Sequence, residues 1–277
     1  MKETNPLEKD NTGRVLIGLH AVLRKAVLEA DPTRSDRINP KGDVSYGFDL
    51  ASDEQACRFL GRELGPVRIL SEEGGEVDTE GGSPGFRVVL DPVDGSDNQA
   101  RGLPLAAVSA ALLPVEGPLH PSRVEWALVG DIEEEIPRLA ARGRGAYHGG
   151  IRQRVSGVSS LKDAMISFDL NHFAPPPAVG GLMARARGVR AYGCASRAIS
   201  LVAAGALDAH VDVRARLTPE SFFAAALILE ESGGCLLSPD GKELGEARGL
   251  TDRMSLIAAA SRELSEEIVE ALSHAER

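Results

Sequence analysis

Over residues 16–29 the apolar positions of LIGLHAVLRKAVLE recur every third or fourth residue, the spacing of an amphipathic helix, and Asp31-Pro32 stops it. The next stretch, DPTRSDRINPKGDVSYG, is polar and rich in Pro, Gly and Asp. It reads as a mobile connection to a second helix over about 50–64, closed by Gly65-Pro66. The pattern then turns from helical to extended. Residues 67–70 and 86–90 are short runs of the kind that form buried strands. Each is followed by acids, Glu72 and Glu73 after the first, Asp91 and Asp94 after the second. Residues 103–113, 124–131 and 138–147 predict further strands, with GRGAYHGG as a tight turn.

The second half has a different rhythm. A strand is expected over 164–170, a break at PPPAVGG, a short helix over 182–187, a strand over 189–192 leading into GCAS, a small-residue helix over 196–204 and a strand over 209–213. A late helix has a clear start, with Thr218 as N-cap, Pro219 at the first helical position and Glu220 in the first turn, where the helix dipole favours an anion. Gly233-Gly234 ends it, and CLLSPDGKEL predicts a strand with an Asp-Gly turn. Mixed helices and strands without repeats give an α+β fold. The change of rhythm places a boundary near 157–163, between an N-terminal subdomain (1–157) carrying the acids and a C-terminal one (158–277) closing a pocket.

Composition narrows the function. A chain of 277 residues with 43% hydrophobic and 26% charged residues can bury a full core, and a net charge of -10 argues against nucleic-acid or anionic-membrane partners. No apolar segment follows the charges of MKETNPLEKDNTGR and no stretch has the length and apolarity of a membrane span, so a cytoplasmic protein is expected. Cys57, Cys194 and Cys235 are odd in number, lack CxxC spacing and read as packing residues. No histidine pair has metal spacing, and His210 in DAHVDV reads as structural. Glu133-Glu134-Glu135 reads as a solvated turn.

The chemistry concentrates in LDPVDGSDN. Asp91 and Asp94 stand three positions apart on a segment that Pro92 stiffens, and Gly95 permits close approach. Two such carboxylates with a nearby Glu form an oxygen-only set suited to a hard cation such as magnesium. Gly95, Ser96 and Asp97 would offer backbone N–H groups to a phosphate beside it. The alternative, that Asp91 and Asp94 cap a turn which Gly95 merely closes, is open from these residues alone.

The surrounding segments resemble the inositol monophosphatase / fructose-1,6-bisphosphatase superfamily. ILSEEGG and LDPVDGSDN are similar to its acidic pair and DPxDGS core. AARGRGAYHGG with RVSGVSSL is similar to its KGxGAFxNG hairpin and following strand, and GCASRAISLVAAGALDAHVDVR to its GSAxxxxxxVAxGxxDxxxD region. The likeness spans nearly the whole chain. It implies a layered α-β-α-β-α fold and a magnesium-dependent phosphatase acting on a small phosphorylated polyol or sugar, commonly as a homodimer. It implies that Glu72, Asp91 and the Val93 carbonyl hold a first Mg2+, and that Asp91 and Asp94 reach a second. Ser96 would orient the attacking water and Asp49 accept its proton through the Ser96 hydroxyl. Asp94, Gly95, Ser96, Cys194, Ala195 and Asp212 would meet the substrate. Glu73 is expected to be a solvated neighbour turned away from Glu72, and Arg197 a solvated helix residue or a contact for a second phosphate.

One position departs from the pattern. The family's metal-binding aspartate at the start of the late helix corresponds to Ser221, a weak magnesium ligand. Glu220 is a neighbour whose side chain diverges by about 100 degrees on a helix, and it is expected to be a surface acid. The resemblance therefore implies either an active phosphatase with a weakened second metal position and weak lithium inhibition, or a degenerate member that binds a phosphorylated metabolite or partner with little turnover.

Overall fold

The protein is described by a computed structural model covering residues 5–42 and 44–273. The N-terminal reading of residues 1–14 and the last four residues of the expected second subdomain fall partly outside this range. The described helices are α1 (Asn11–Glu29), α2 (Gly47–Leu64), α3 (Ser96–Ala100), α4 (Pro177–Arg185), α5 (Ala195–Ala203), α6 (Pro219–Glu231) and α7 (Arg262–Ser273).

Strands β1 (Arg34–Ile38) and β2 (Val44–Tyr46) form an antiparallel hairpin. The larger sheet contains β3 (Val67–Ser71), β4 (Gly75–Asp78), β5 (Phe86–Asp94), β6 (Ala107–Leu113), β7 (Trp126–Asp131), β8 (Arg138–Ala141), β9 (Gly145–His148) and β10 (Ile151–Arg152). Its order is β10-β9-β8-β7-β6-β5-β3-β4, antiparallel except for the β3–β5 pair. The smaller sheet, β12-β11-β13-β15-β14, contains β11 (Met165–Phe168), β12 (Gly188–Arg190), β13 (Ala209–Leu217), β14 (Cys235–Leu237) and β15 (Met254–Ala259).

Alternation along the strands divides the larger sheet's faces. Val88, Leu90, Val108 and Leu112 face Leu16, Leu19, Leu23, Ala56 and Leu60 of α1 and α2. The opposite residues, among them Val89, Ala107, Ala111 and Val129, pack on α5 and α6 through Ile199, Val202, Phe222 and Phe223. The same core reaches Leu256 and Ala258 of β15. The far face of the smaller sheet, with Ile166, Val211 and Ile257, is covered by Val179 and Leu182 of α4 and by Leu264 and Ile268 of α7. The layers thus run helix pair, sheet, helix pair, sheet, helix pair. α6 is buried around nearly its whole circumference because a sheet lies on each side of it. The chain passes from the larger sheet to the smaller between Arg152 and Met165, and one apolar core includes residues from both sheets.

Several elements differ from the sequence expectation. The polar segment after Pro32 is a hairpin, tied by Ser35 Oγ donating to the Ser45 carbonyl at 2.9 Å. PPPAVGG does not break the chain: Pro177 occupies the first turn of α4, where a missing N–H costs nothing. β6 begins only at Ala107, past Pro104. The strand expected over 138–147 is two strands joined by a turn.

The most consequential difference lies in β5, which runs through Asp91 and Pro92 to Asp94. Asp91 pairs with Ser109 and Asp94 with Ala107, so β5 carries one residue more than β6 over this stretch. Such a bulge accommodates Pro92, which has no N–H for the ladder, and turns the strand end toward one side.

Candidate active site

β3 and β5 run parallel, so the residues after Ser71 and those at the end of β5 emerge at the same edge of the sheet. Glu72 and Glu73 leave β3 there, and Asp91, Val93 and Asp94 leave β5. Gly95 follows in the left-handed region at φ 91°, and a Cβ on it would come within 2.9 Å of the Leu105 carbonyl oxygen. α3 then starts with Ser96. The first turn of α2 contributes Asp49, the hairpin tip Asn39 and Lys41, and the first turn of α6 Ser221. These groups, with Arg34, Asn171, His172 and Gly193, line a cleft of about 460 Å³.

Asp49 accepts a hydrogen bond from the Tyr46 backbone N–H at 2.8 Å and another from Ser96 Oγ at 2.9 Å. Burial pushes its pKa up to about 7, against the lowering effect of the Tyr46 N–H. The Ser96 hydroxyl also lies 2.8 Å from the Val93 carbonyl. Asp91 is buried and accepts from the Val93 N–H at 3.0 Å. Burial, then the Glu72 charge, push it well above the usual carboxylate range. Asp94 has Oδ2 engaged by the Ser196 N–H at 2.7 Å, Ser196 Oγ at 2.6 Å and Cys194 Sγ at 3.3 Å. Burial raises its pKa to about 6, with the Ser196 and Cys194 contacts opposing the rise.

The anticipated Asp49, Glu72, Asp91, Val93, Asp94, Gly95, Ser96 and Ser221 all line this one cleft. Cys194 and Ala195 are buried behind it, where Cys194 braces Asp94. Asp212 lies outside the lining: it is fully buried and both its carboxylate oxygens are engaged by Arg214, at distances from 2.7 Å. Arg197 is not a solvated helix residue: it is largely buried against Asp131 at 3.3 Å. Glu73 is not solvated either. It is 6% exposed and accepts from Ser45 Oγ and, at 3.4 Å, from Asn39 Nδ2.

Glu220 brings the largest correction. Expected on the surface, it is 1% exposed, with Oε1 bound by Lys41 Nζ at 3.0 Å and by Thr218 Oγ1. Ser109 donates to its backbone carbonyl at 2.9 Å. Lys41 Nζ also sits 2.6 Å from Glu72 Oε1.

Sequence reasoning missed Lys41, Asn39 and Ser196. Ser196 was legible only as the last residue of GCAS. Lys41 carried no periodic or motif signal, and the one clue was physical: an acid-rich pocket needs a cation.

The cleft's donor set is entirely oxygen, which suits a hard divalent ion. Glu220 Oε2 is buried with no hydrogen-bond partner among the described residues. The Lys41 ammonium already stands where a cation is wanted. The oxygen donor set at Asp91, Val93 and Asp94 fits a divalent metal, while Lys41 answers the charge of Glu72 and Glu220; among the described residues no three acidic, His or Cys side chains are drawn together as a formed cage.

Comparison with known proteins gives the family and the fold. The sequence profile described as the inositol monophosphatase family matches residues 25–277. A fructose-1,6-bisphosphatase/inositol-1-monophosphatase of Thermococcus kodakarensis is 31% identical over 237 residues, covering 84% of this chain and 85% of that protein. A Nus factor SuhB of Pseudomonas aeruginosa is 32% identical over 213 residues, covering 71% and 73%. The crystal structure of the extragenic suppressor protein suhB of Bartonella henselae superposes with a TM-score of 0.78 at 22% identity, covering 94% of this chain and 98% of that one, a likeness of fold. With the profile matched over nearly its whole length, this chain belongs to the inositol monophosphatase family, a family of phosphoric monoester hydrolases.

Proposed function

We propose that this protein is a magnesium-dependent phosphomonoesterase that hydrolyses a small phosphorylated polyol or sugar. The observation that carries this reading is the convergence of Glu72, Asp91 and Asp94 on one cleft beside a Ser96–Asp49 hydrogen bond. Glu72, Asp91, the Val93 carbonyl and Asp94 would hold the metal, with Ser221 at the margin of a weaker second position. When bound, a divalent ion supplies Lewis-acid activation of water and neutralises charge on the phosphoryl oxygens.

The chain's own groups perform the remaining work. Ser96 Oγ accepts a hydrogen bond from the attacking water and passes a proton to Asp49 Oδ1, 2.9 Å away. Asp49 suits this role because burial brings its pKa up to about 7, in the range where a carboxylate can both take and release a proton near neutral pH. Ser196 and Cys194 fix the Asp94 carboxylate, so it keeps one orientation through the cycle. Gly95, lacking a Cβ, lets the chain turn at φ 91° against the Leu105 and Gly193 carbonyls and Cys194, which brings Ser96 to the cleft. Asn171 and His172, also in the lining, would offer polar contacts for the alcohol portion of the ester. The relatives named for fructose 1,6-bisphosphate and inositol 1-monophosphate support these two ester types as the first substrates to try.

The test is phosphate release from a panel of inositol and sugar phosphates across a magnesium titration. Release from at least one ester, saturating with magnesium, is expected. No release at high magnesium would overturn the reading in favour of the second one, a binding protein with little turnover. Ser221 and the SuhB-named relative are the observations that keep that second reading in view.

A further inference from the structure

We propose that the Lys41 ammonium is the resident cation of this pocket. It occupies the side framed by Glu72 Oε1 and Glu220 Oε1 in place of a divalent ion and leaves the side framed by Asp91 and Asp94, to which Glu72 can offer only its other carboxylate oxygen, as the single position of tight metal binding. The inference rests on the metal-dependent reading above and concerns how many ions the pocket takes.

The placement of Lys41 is built into the fold. The hairpin tip turns at Gly42, whose N–H donates to the Asn39 carbonyl at 2.9 Å and whose φ is 95°. Asn39 Oδ1 accepts from the Lys41 N–H at 3.0 Å, and Asn39 Nδ2 reaches Glu72 at 3.3 Å and Glu73 at 3.4 Å. The turn is therefore seated on the acid pair. It aims the lysine side chain, only 15% exposed, inward to Glu72 Oε1 at 2.6 Å and Glu220 Oε1 at 3.0 Å.

Charge explains why a lysine belongs there. The Glu220 side chain is fully buried, and a buried carboxylate is tolerated only with a counter-charge. Lys41 supplies it without any ion from solution. The adjacent Ser221 is neutral and cannot add the negative charge that would draw a divalent ion into the same space. An ion binding between Glu72 and Glu220 would have to expel the ammonium from both carboxylates, because like charges at such short range in a weakly screened pocket repel strongly. Asp91 senses the Lys41 charge through space, but neither Asp91 nor Asp94 has a hydrogen bond or ion pair to Lys41 among the described residues.

The experiment is a calorimetric titration of metal-free protein with Mn2+, comparing wild type with Lys41→Met, Lys41→Gln and Lys41→Arg, alongside thermal melts with and without saturating Mn2+. Wild type and Lys41→Arg, which both keep a cation, are expected to take one tight ion per chain. Lys41→Met and Lys41→Gln are expected to gain a second ion, bound about tenfold or more tightly than any second ion in wild type. Without metal these two variants should melt below wild type, and Mn2+ should raise their melting temperature by more than it raises that of wild type. If Lys41→Met fails to fold, Lys41→Gln, which keeps a hydrogen bond to Glu72 without the charge, decides the matter.

Equal stoichiometry and affinity in wild type and the neutral variants, or weaker binding by them, overturns the proposal while leaving the metal-dependent reading intact. No binding to any of the four proteins overturns both.

Discussion

Two sets of buried acids in this molecule are treated in opposite ways. Away from the cleft, Arg214 holds Asp169 at 2.8 Å and Asp212 at 2.7 Å, and Asp131 lies between Arg138 at 3.5 Å and Arg197 at 3.3 Å. At the cleft, Glu72 and Glu220 share one lysine, while Glu73, Asp91 and Asp94 have hydrogen bonds but no ion pair among the described residues. Arginine, with its planar fork of donors, neutralises the first set permanently. The second set is left short of positive charge, and burial raises the pKa of Glu73, Asp91, Asp94 and Glu220. The difference teaches where function lies: a fold tolerates uncompensated buried charge only where something from outside completes it.

The strongest way to break this comparison is to neutralise one acid of each kind. Asp91→Asn is expected to lower metal-dependent phosphate release by about 10³-fold, as several kcal/mol of charge stabilisation are lost. It should leave the metal-free melting temperature unchanged or higher, since a buried, poorly paired charge is removed. A variant that keeps its activity would strip the cleft of its assigned role. Arg214→Met should do the reverse. Leaving Asp169 and Asp212 unpaired costs about 3–5 kcal/mol in a denaturant titration, while activity per folded molecule stays within a few-fold of wild type. A denaturation midpoint equal to wild type would erase the contrast between the two sets.

The pH dependence sharpens the comparison further. Asp49 is raised by burial from 3.8 to about 7, and Asp94 from 3.8 to about 6. A raised carboxylate pKa stabilises the fold fully below the unfolded value and is lost as pH rises through the folded value. Metal-free protein should therefore lose stability between about pH 4 and pH 7, by on the order of a few kcal/mol. Saturating magnesium should flatten that slope, and a melting temperature insensitive to pH in its absence would count against the charge imbalance described here. Ser96→Ala should slow hydrolysis by about 10²-fold with little change in the magnesium needed, since it removes the proton relay and not a metal donor. The smallest effect is expected from Ser221→Asp, which should lower the half-activating magnesium concentration by about three- to tenfold. An unchanged titration would mean that this side chain does not reach the ion.

Much of this architecture was legible in the chain. Periodic apolar residues located α1 and α2, and Pro219 with Gly233-Gly234 bounded α6. The acids at the ends of β3 and β5 could be named as partners because each closes a buried strand, and parallel neighbours end at the same edge. The hairpin β1–β2 could not be read in this way. Its stability comes from cross-strand bonds and from the seat that Glu72 and Glu73 give its tip, and neither leaves a local pattern. The pairing of Asp212 with Arg214 was equally unreadable, since it also draws in Asp169 from a different segment.

The sequence by itself determined the secondary-structure periods, the oxygen-rich donor set and the Ser221 departure, because each depends on residue identity or short-range spacing. Only the tertiary structure decided which charges are answered and which are not. Lys41 and Glu220 lie 179 residues apart, and their pairing depends on a hairpin tip and a helix start meeting over one sheet edge. Burial and counter-charge are properties of that meeting, so no window of the chain contains them.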